Sequence, residues 1–588
     1  MKILVSLATL IVSAPLLVAA GAGNGALPAN AEQSPIRSWF IAPTRVVWQS
    51  GSGVMNAANL LQPKPGQAVL KEPQPPCVLT ATDGKPAGIM LDFGTELHGS
   101  VEIFTPMTAG KEPRSVRVRL GESVSEAMAE LGERGAQNDH AVRDQSVLLP
   151  WLGKKTVGPS GFRFVRIDAL DPKTPVSLSQ VRAVLQMRDL QRAGSFRCSD
   201  ERLNKIWETG AYTVQLNMQE YLWDGIKRDR LVWIGDMHPE VSTINAVFGF
   251  NDVVPKSLDL TRDVTPVTQW MNGISSYSMW WVLIQEEMWM HHGNRKYLDA
   301  QNAYLKPLLR KLADLVGPDG REHIDGMRFL DWPSSPNQQG VTAGLQGLLV
   351  MTLESGARLM HTLGDEVTAK LCTDAAIRGR TVVPDVNASK SGAALLSLAG
   401  MLDAKKTSDD VLKIGGVNGI STFYGFYVLQ ALAKSGDTDT ALDFISTYWG
   451  AMLDFGATTF WEDFDLAWTE GRRAHRRTRA ARKKGSARRL RRLLLSRIPP
   501  QLLSRMGERA DGVAQSKRAR CASAGTRLQA RPHRTAARPA RVGRGCLSHA
   551  TRADQNPPRT PAGWHREVEH SSARRNCRRT LTALTTSR

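Results

Sequence analysis

Cysteine is scarce in this chain: six in 588 residues, with Cys77, Cys198 and Cys372 in the first 470 and Cys521, Cys546 and Cys577 beyond. Their spacings suit neither a zinc site nor a disulfide framework, so they are expected as small buried residues, with at most one bridge in the first 470. No cofactor and no bound metal is called for. Long apolar runs are also missing after residue 20, which excludes a later membrane-spanning helix. The one apolar run, from Ile3 to Ala20, is broken by Ser6, Thr9, Ser13 and Pro15 and is followed by Ala29 and Ala31 ahead of Glu32. That is the layout of a secretory signal over residues 1–31, cleaved after Ala31, which predicts a secreted or periplasmic protein without a membrane span.

Aromatic residues are nearly absent after Glu470, where there is no Phe, no Tyr and one Trp, Trp564. The same 118 residues hold 32 Lys and Arg against 5 Asp and Glu, leaving 44 against 51 in the first 470, a net charge of −7. The whole-chain charge of +20 therefore belongs to the tail, and the body is not expected to bind nucleic acid. A segment so charged and so poor in large apolar groups cannot offset its ordering entropy, so residues 471–588 are expected to be disordered. Their bias toward Arg, with only Lys483, Lys484 and Lys517 as lysines, resembles translation in a shifted reading frame.

Between these ends the hydrophobic period changes once. GIMLDFG (88–94), SVEIF (100–104), SVRVRLGES (115–123) and GFRFVRIDAL (161–170) alternate with period two between Gly, Pro and Asp, as half-buried strands do. Residues 33–192 are thus expected to form an antiparallel β-sandwich. From Ser199 the apolar residues recur at three- and four-residue steps, as in DERLNKIWETGAYTVQLNM and TAGLQGLLVMTLESGARLMHTLG, with Gly or Pro near the ends. Residues 197–470 are expected to be antiparallel helical hairpins, with function in the loops at one end.

Two loops carry the densest chemistry. WDGIKRDRLVWIGDMHPE (223–240) interleaves Asp224, Arg228, Asp229, Asp236 and Glu240 with Trp223 and Trp233. On residue types alone, a capping loop in which Arg228 pairs with Asp224 or Asp236 is the nearer reading; a sugar docking on bare indoles is the sharper one. GATTFWEDFDLAW (456–468) sets Glu462, Asp463 and Asp465 among Phe460, Trp461, Phe464 and Trp468, where it reads either as a helix-end loop with Trp461 in the core or as a site for proton transfer. Trp270, Tyr277, Trp280, Asp331 and Trp332 could complete a sugar site, although each alone is more often a buried helix face. Two carboxyl groups beside a sugar suit glycoside hydrolysis, one protonating the leaving oxygen and the other activating water or attacking carbon.

The sandwich followed by FRCSDERLNKIWETGAYTVQLNM, WDGIKRDRLVWIGD and GATTFWE resembles the bacterial α-L-rhamnosidases, inverting glycosidases built on an (α/α)6 barrel, over roughly residues 91–470. The resemblance implies that Asp229 is the general acid and Glu462 the general base, with Asp224, Arg228, Trp233, Asp236 and Trp332 lining a pocket for a terminal rhamnose. Members commonly carry Glu at the acid position, and Asp229 is one methylene shorter. They also continue past the Trp-Glu pair with the last barrel helices and a histidine-bearing loop, so the barrel here is expected to be incomplete and its activity weakened or lost. A helical-barrel hydrolase or lyase acting on another sugar, such as a uronic acid, and a non-catalytic carbohydrate-binding protein remain open alternatives at this stage.

Overall fold

The computed structural model describes residues 32–82, 84–108, 110–133 and 136–467. The signal segment and the Arg-rich tail, with Trp468, lie outside the described residues.

Two antiparallel sheets share one core at the N-terminal end. In the larger, β1 (Ile36–Ile41), β10 (Gln180–Arg188), β5 (Gly88–Thr105), β8 (Gly153–Ala169), β6 (Arg114–Gly121) and β7 (Asp144–Leu149) lie side by side in that order, and β2 (Arg45–Gln49) also pairs with β5. The smaller consists of β3 (Val54–Met55), β4 (Cys77–Leu79) and β9 (Val176–Leu178). The two stretches read as separate strands, 88–94 and 100–104, are halves of the single strand β5. Its pairing with β8 shifts between Asp92 and Leu97 and again between Gly99 and Val101. The Asp92 carboxylate accepts from the Gly94 amide at 2.8 Å, and Gly94 takes a left-handed φ of 88°, so the ladder is interrupted without ending the strand. Sequence pattern alone reads such an interruption as a turn.

The helical region runs from α2 (Glu201–Asn217) through α3 (Ile234–Val247), α4 (Val253–Val264), α5 (Ser275–His292), α6 (Arg295–Asp314), α7 (Gln338–Leu363), α8 (Glu366–Gly379), α9 (Lys390–Leu398), α10 (Ala404–Thr407) and α11 (Gly425–Lys434) to α12 (Thr438–Asp454); the short α1 (Val124–Met128) belongs to the sandwich. Helices α3, α5, α7, α9 and α11 pack each on the next, and α12 packs on α11 and on α2. Composition decides the tiers. Every residue of α5 from Ser275 to Gln285 is buried, including Trp280 and Trp281, so this helix is enclosed on all sides. In α6 burial falls on Leu298, Gln301, Leu305, Leu308, Leu309 and Leu312, a single stripe facing inward. Asn294 caps α6 by accepting from the Tyr297 amide, and Asn337 caps α7 through Gly340.

The two cores meet at the start of the helical region, where Leu216 of α2 and Ile226 of the following loop are buried among the sandwich residues. Cys77 and Cys372 are buried free thiols, pushed by burial up to about 12, and Cys198 is half-buried and also free. Among the described residues no helix is long and apolar enough to cross a membrane.

Candidate active site

The chain leaves α2 into the loop 218–233, which the sandwich grips at three points. Ile226 enters the sandwich core, and its carbonyl accepts from His98 Nδ1 at 3.0 Å. Burial pulls His98 down to about 4, so the ring is neutral and packs edge-on against Trp223 at 5.3 Å. Lys227 places its ammonium against Glu126, with Glu122 at 3.9 Å. Burial alone would depress this lysine, but the Glu126 and Glu122 carboxylates outweigh it and keep it charged. Third, Arg230 donates to the His140 carbonyl. Asp224 closes the loop on itself: its amide donates to the Leu231 carbonyl at 3.1 Å and its Oδ1 accepts from the Leu231 amide at 2.9 Å.

Asp229 sits at the apex of this loop. It and Arg230 have φ of 56° and 54°, a left-handed conformation that costs a non-glycine residue roughly 1–2 kcal/mol. Asp229 Oδ2 accepts from the Trp233 indole at 3.1 Å, and Oδ1 lies 3.1 Å from His140 Nε2 and 3.7 Å from Arg228 Nε. Arg228 also pairs at 3.6 Å with Asp139, which arrives from the sandwich. Trp233 precedes α3, whose first turn carries Asp236 at the end that favours negative charge. Gly235 lets the Tyr277 ring approach, since a Cβ there would lie 2.2 Å from the ring.

The second loop follows α12 and is also tied to the sandwich. Arg163 donates to the Gly456 carbonyl at 3.0 Å, and the Glu96 amide donates to Thr458 Oγ1 at 2.8 Å. The Phe460 amide donates to Thr213 Oγ1 on α2 at 3.1 Å. Phe460 and Trp461 are buried, with Trp461 packed against Phe455 and Phe464, and Glu462 next to them lines the cavity.

These loops open on one cavity of about 600 Å³. It brings together the seven residues to which the resemblance assigns a role: Asp224, Arg228, Asp229, Trp233, Asp236, Trp332 and Glu462. Asp331, Asp463 and Tyr277 join them; Trp270 and Trp280 do not line it, Trp280 being fully buried in α5 against Tyr427 and His238. Asp331 is buried, accepting from the Ser334 amide at 3.0 Å and from Ser421, whereas Trp332 is 66% exposed at the rim and edge-on to Phe329. Burial, then the charge of Asp236, holds the Tyr277 phenol well above its usual range, so it is a donor. The carboxyl groups of the lining, five aspartates and one glutamate, face one arginine. Sequence reasoning missed Ser421 and Phe423 on this wall, and Asp139 and His140 behind Asp229; the stretch QNDHAVRD has no period or motif that would have singled them out.

A sandwich followed by paired helices, with an acidic, tryptophan-edged cavity built from the helix loops, defines a helical-hairpin protein with a cleft at one end of its helices. Residues 191–370 match the model of the bacterial alpha-L-rhamnosidase 6 hairpin glycosidase domain. Over those residues the chain is similar to the hairpin domain of the bacterial alpha-L-rhamnosidases. It is 26% identical over 263 residues to an alpha-L-rhamnosidase of Alteromonas sp. (strain LOR), covering 42% of this chain and 27% of that protein. An alpha-L-rhamnosidase of Formosa agariphila is 25% identical over 175 residues, covering 29% and 18%. The matched part is thus about a fifth to a quarter of the length of these relatives. In fold, the rhamnosidase of Klebsiella oxytoca, solved with rhamnose bound, superimposes with a TM-score of 0.61 at 19% identity, over 74% of this chain and 90% of that one.

Proposed function

We propose that this protein removes terminal α-L-rhamnose from glycosides or polysaccharides in one inverting displacement. Asp229 protonates the glycosidic oxygen while Glu462 takes a proton from the water that attacks the opposite face of the sugar. The observation that carries this reading is the convergence of Asp229 and Glu462, from loops over two hundred residues apart, on one cavity. Single displacement needs carboxyl groups about 6.5–9.5 Å apart, with water between them, against about 5–5.5 Å for double displacement. The acidic lining supports a neutral sugar over a uronic acid, because a second anion would face six carboxylates and one guanidinium. Tyr277 and Asp236 are suited to bind hydroxyls, and Trp332 at the rim to stack on the group that leaves.

Export directed by residues 1–31 belongs to the same proposal. The test is turnover of aryl α-L-rhamnoside against aryl glucoside and glucuronide, following the first-formed anomer by NMR. Rhamnoside turnover giving the β-anomer is expected. Preference for the glucuronide would refute the sugar, and a first-formed α-anomer would refute the mechanism.

A further inference from the structure

Both oxygens of Asp229 are engaged, and by unlike partners. The indole of Trp233 is a donor only, and a guanidinium such as Arg228 has no lone pair to accept with. His140 is different, because its Nε2 can either donate to Oδ1 or accept from it, depending on the tautomer. The imidazole comes from the sandwich, in the segment ahead of β7, and that segment is tied to the loop at two points. Arg230 donates to the His140 carbonyl, and Asp139 pairs with Arg228 at 3.6 Å. A contact so anchored, reaching across from the other domain to one oxygen of one carboxyl group, is suited to decide which oxygen carries its proton.

We propose that His140 is the positioning residue of Asp229, its Nε2–H donating to Oδ1 so that the transferable proton resides on Oδ2, beside Trp233 at the cavity. This rests on the reading of Asp229 as the general acid. With Oδ1 fixed as the carbonyl oxygen, Oδ2–H passes its proton to the glycosidic oxygen as the sugar–oxygen bond breaks, and Asp229 is left as a carboxylate held by two donors. His140 neither gains nor loses a proton in the step. The shorter side chain makes the clamp matter more: an aspartate has one fewer rotatable bond with which to recover its aim, and an error of about 1 Å costs on the order of 10²-fold.

The experiment compares wild type with His140→Ala, His140→Gln and Asp229→Asn on two aryl rhamnosides, one with a dinitrophenolate leaving group that needs no proton and one with a poor leaving group. His140→Ala is expected to lose about 10- to 10²-fold in kcat on the poor leaving group, with KM little changed, and far less on the dinitrophenyl substrate. His140→Gln, whose amide N–H reaches the place of Nε2–H, is expected to recover most of that loss. Equal losses in the alanine and glutamine variants, or none in either, overturn the proposal. If Asp229→Asn leaves the poor substrate unaffected, the acid assignment itself has failed. Independently of turnover, the ¹⁵N shifts of the His140 ring should report the Nε2–H tautomer in wild type, and the opposite tautomer refutes the clamp.

Discussion

Asp229 is a short acid in a strained backbone, and its neighbours explain how a carboxyl group one methylene shorter than glutamate can still face the cavity. Its left-handed φ turns the side chain between the Trp233 indole and His140. If it supplies the proton to the leaving group, Asp229→Asn should lower kcat by about 10²–10⁴ on a poor leaving group and far less on a dinitrophenyl one. Glu462→Gln, which removes the proposed base, should depress both substrates alike, which separates the two proposed roles in one assay. Gly235 is a second position where a single group decides geometry. The Cβ of Gly235→Ala would lie 2.2 Å from the Tyr277 ring, so the ring or the helix must yield. Overpacking of this kind costs about 1–3 kcal/mol, to be read in the denaturation midpoint, and displacing Tyr277 should raise KM.

At the scale of elements, the loop after α2 is shaped less by its own sequence than by what grips it. Asp224 closes it internally, Ile226 sinks into the sandwich core and Lys227 reaches the Glu126 carboxylate. The Lys227–Glu126 pair is nearly enclosed, with side chains 13% and 7% exposed, so removing one partner leaves a charge stranded. Lys227→Met should therefore cost on the order of 3–5 kcal/mol in chemical denaturation. Because the same lysine lies two residues before Asp229, kcat should fall in that variant even where the protein remains folded. This loop also shows what sequence can and cannot convey about an element. Its residue types marked it as chemically dense, but the pairing of Arg228 with Asp139 was invisible, since no local rule links residues 139 and 228. Likewise β5 read as two strands because an interruption in alternation looks the same whether the chain turns back or runs on.

For the whole molecule, the sandwich is the frame on which both candidate catalytic loops are hung, and Glu96 lies at the junction. Its amide holds Thr458 beside the Glu462 loop, and its carbonyl accepts from Tyr212 of α2 at 2.7 Å. Burial, reinforced by the charges of Glu122 and Glu126, holds its carboxyl well above the usual 4.5. A carboxyl group with a raised folded-state pKa binds its proton more tightly in the folded protein, so stability is lost as pH rises from about 4.5 toward the raised value. Glu96→Gln, which keeps the neutral form at every pH, should gain melting temperature relative to wild type as pH climbs above 4.5. A difference that stays flat from pH 4 to 8 would show that Glu96 does not titrate this way.

The sequence by itself determined the two-part architecture, since the change from period two to period 3.6 near Ser199 is a local property of the chain, written in which residues are apolar. It also determined which side chains could do chemistry, because carboxylates among tryptophans are recognisable one loop at a time. The resemblance in the WDGIKRDRLVWIGD and GATTFWE stretches supplied their order. Only the tertiary structure decided that Asp229 and Glu462 share a cavity, that Trp461 and Trp280 are core while Trp332 is rim, and that His140 and Asp139 cross from the sandwich to the candidate acid. The reason is one of range. Periodicity and capping act over a few residues, whereas a contact between residues 140 and 229 exists only because two separately packed cores meet.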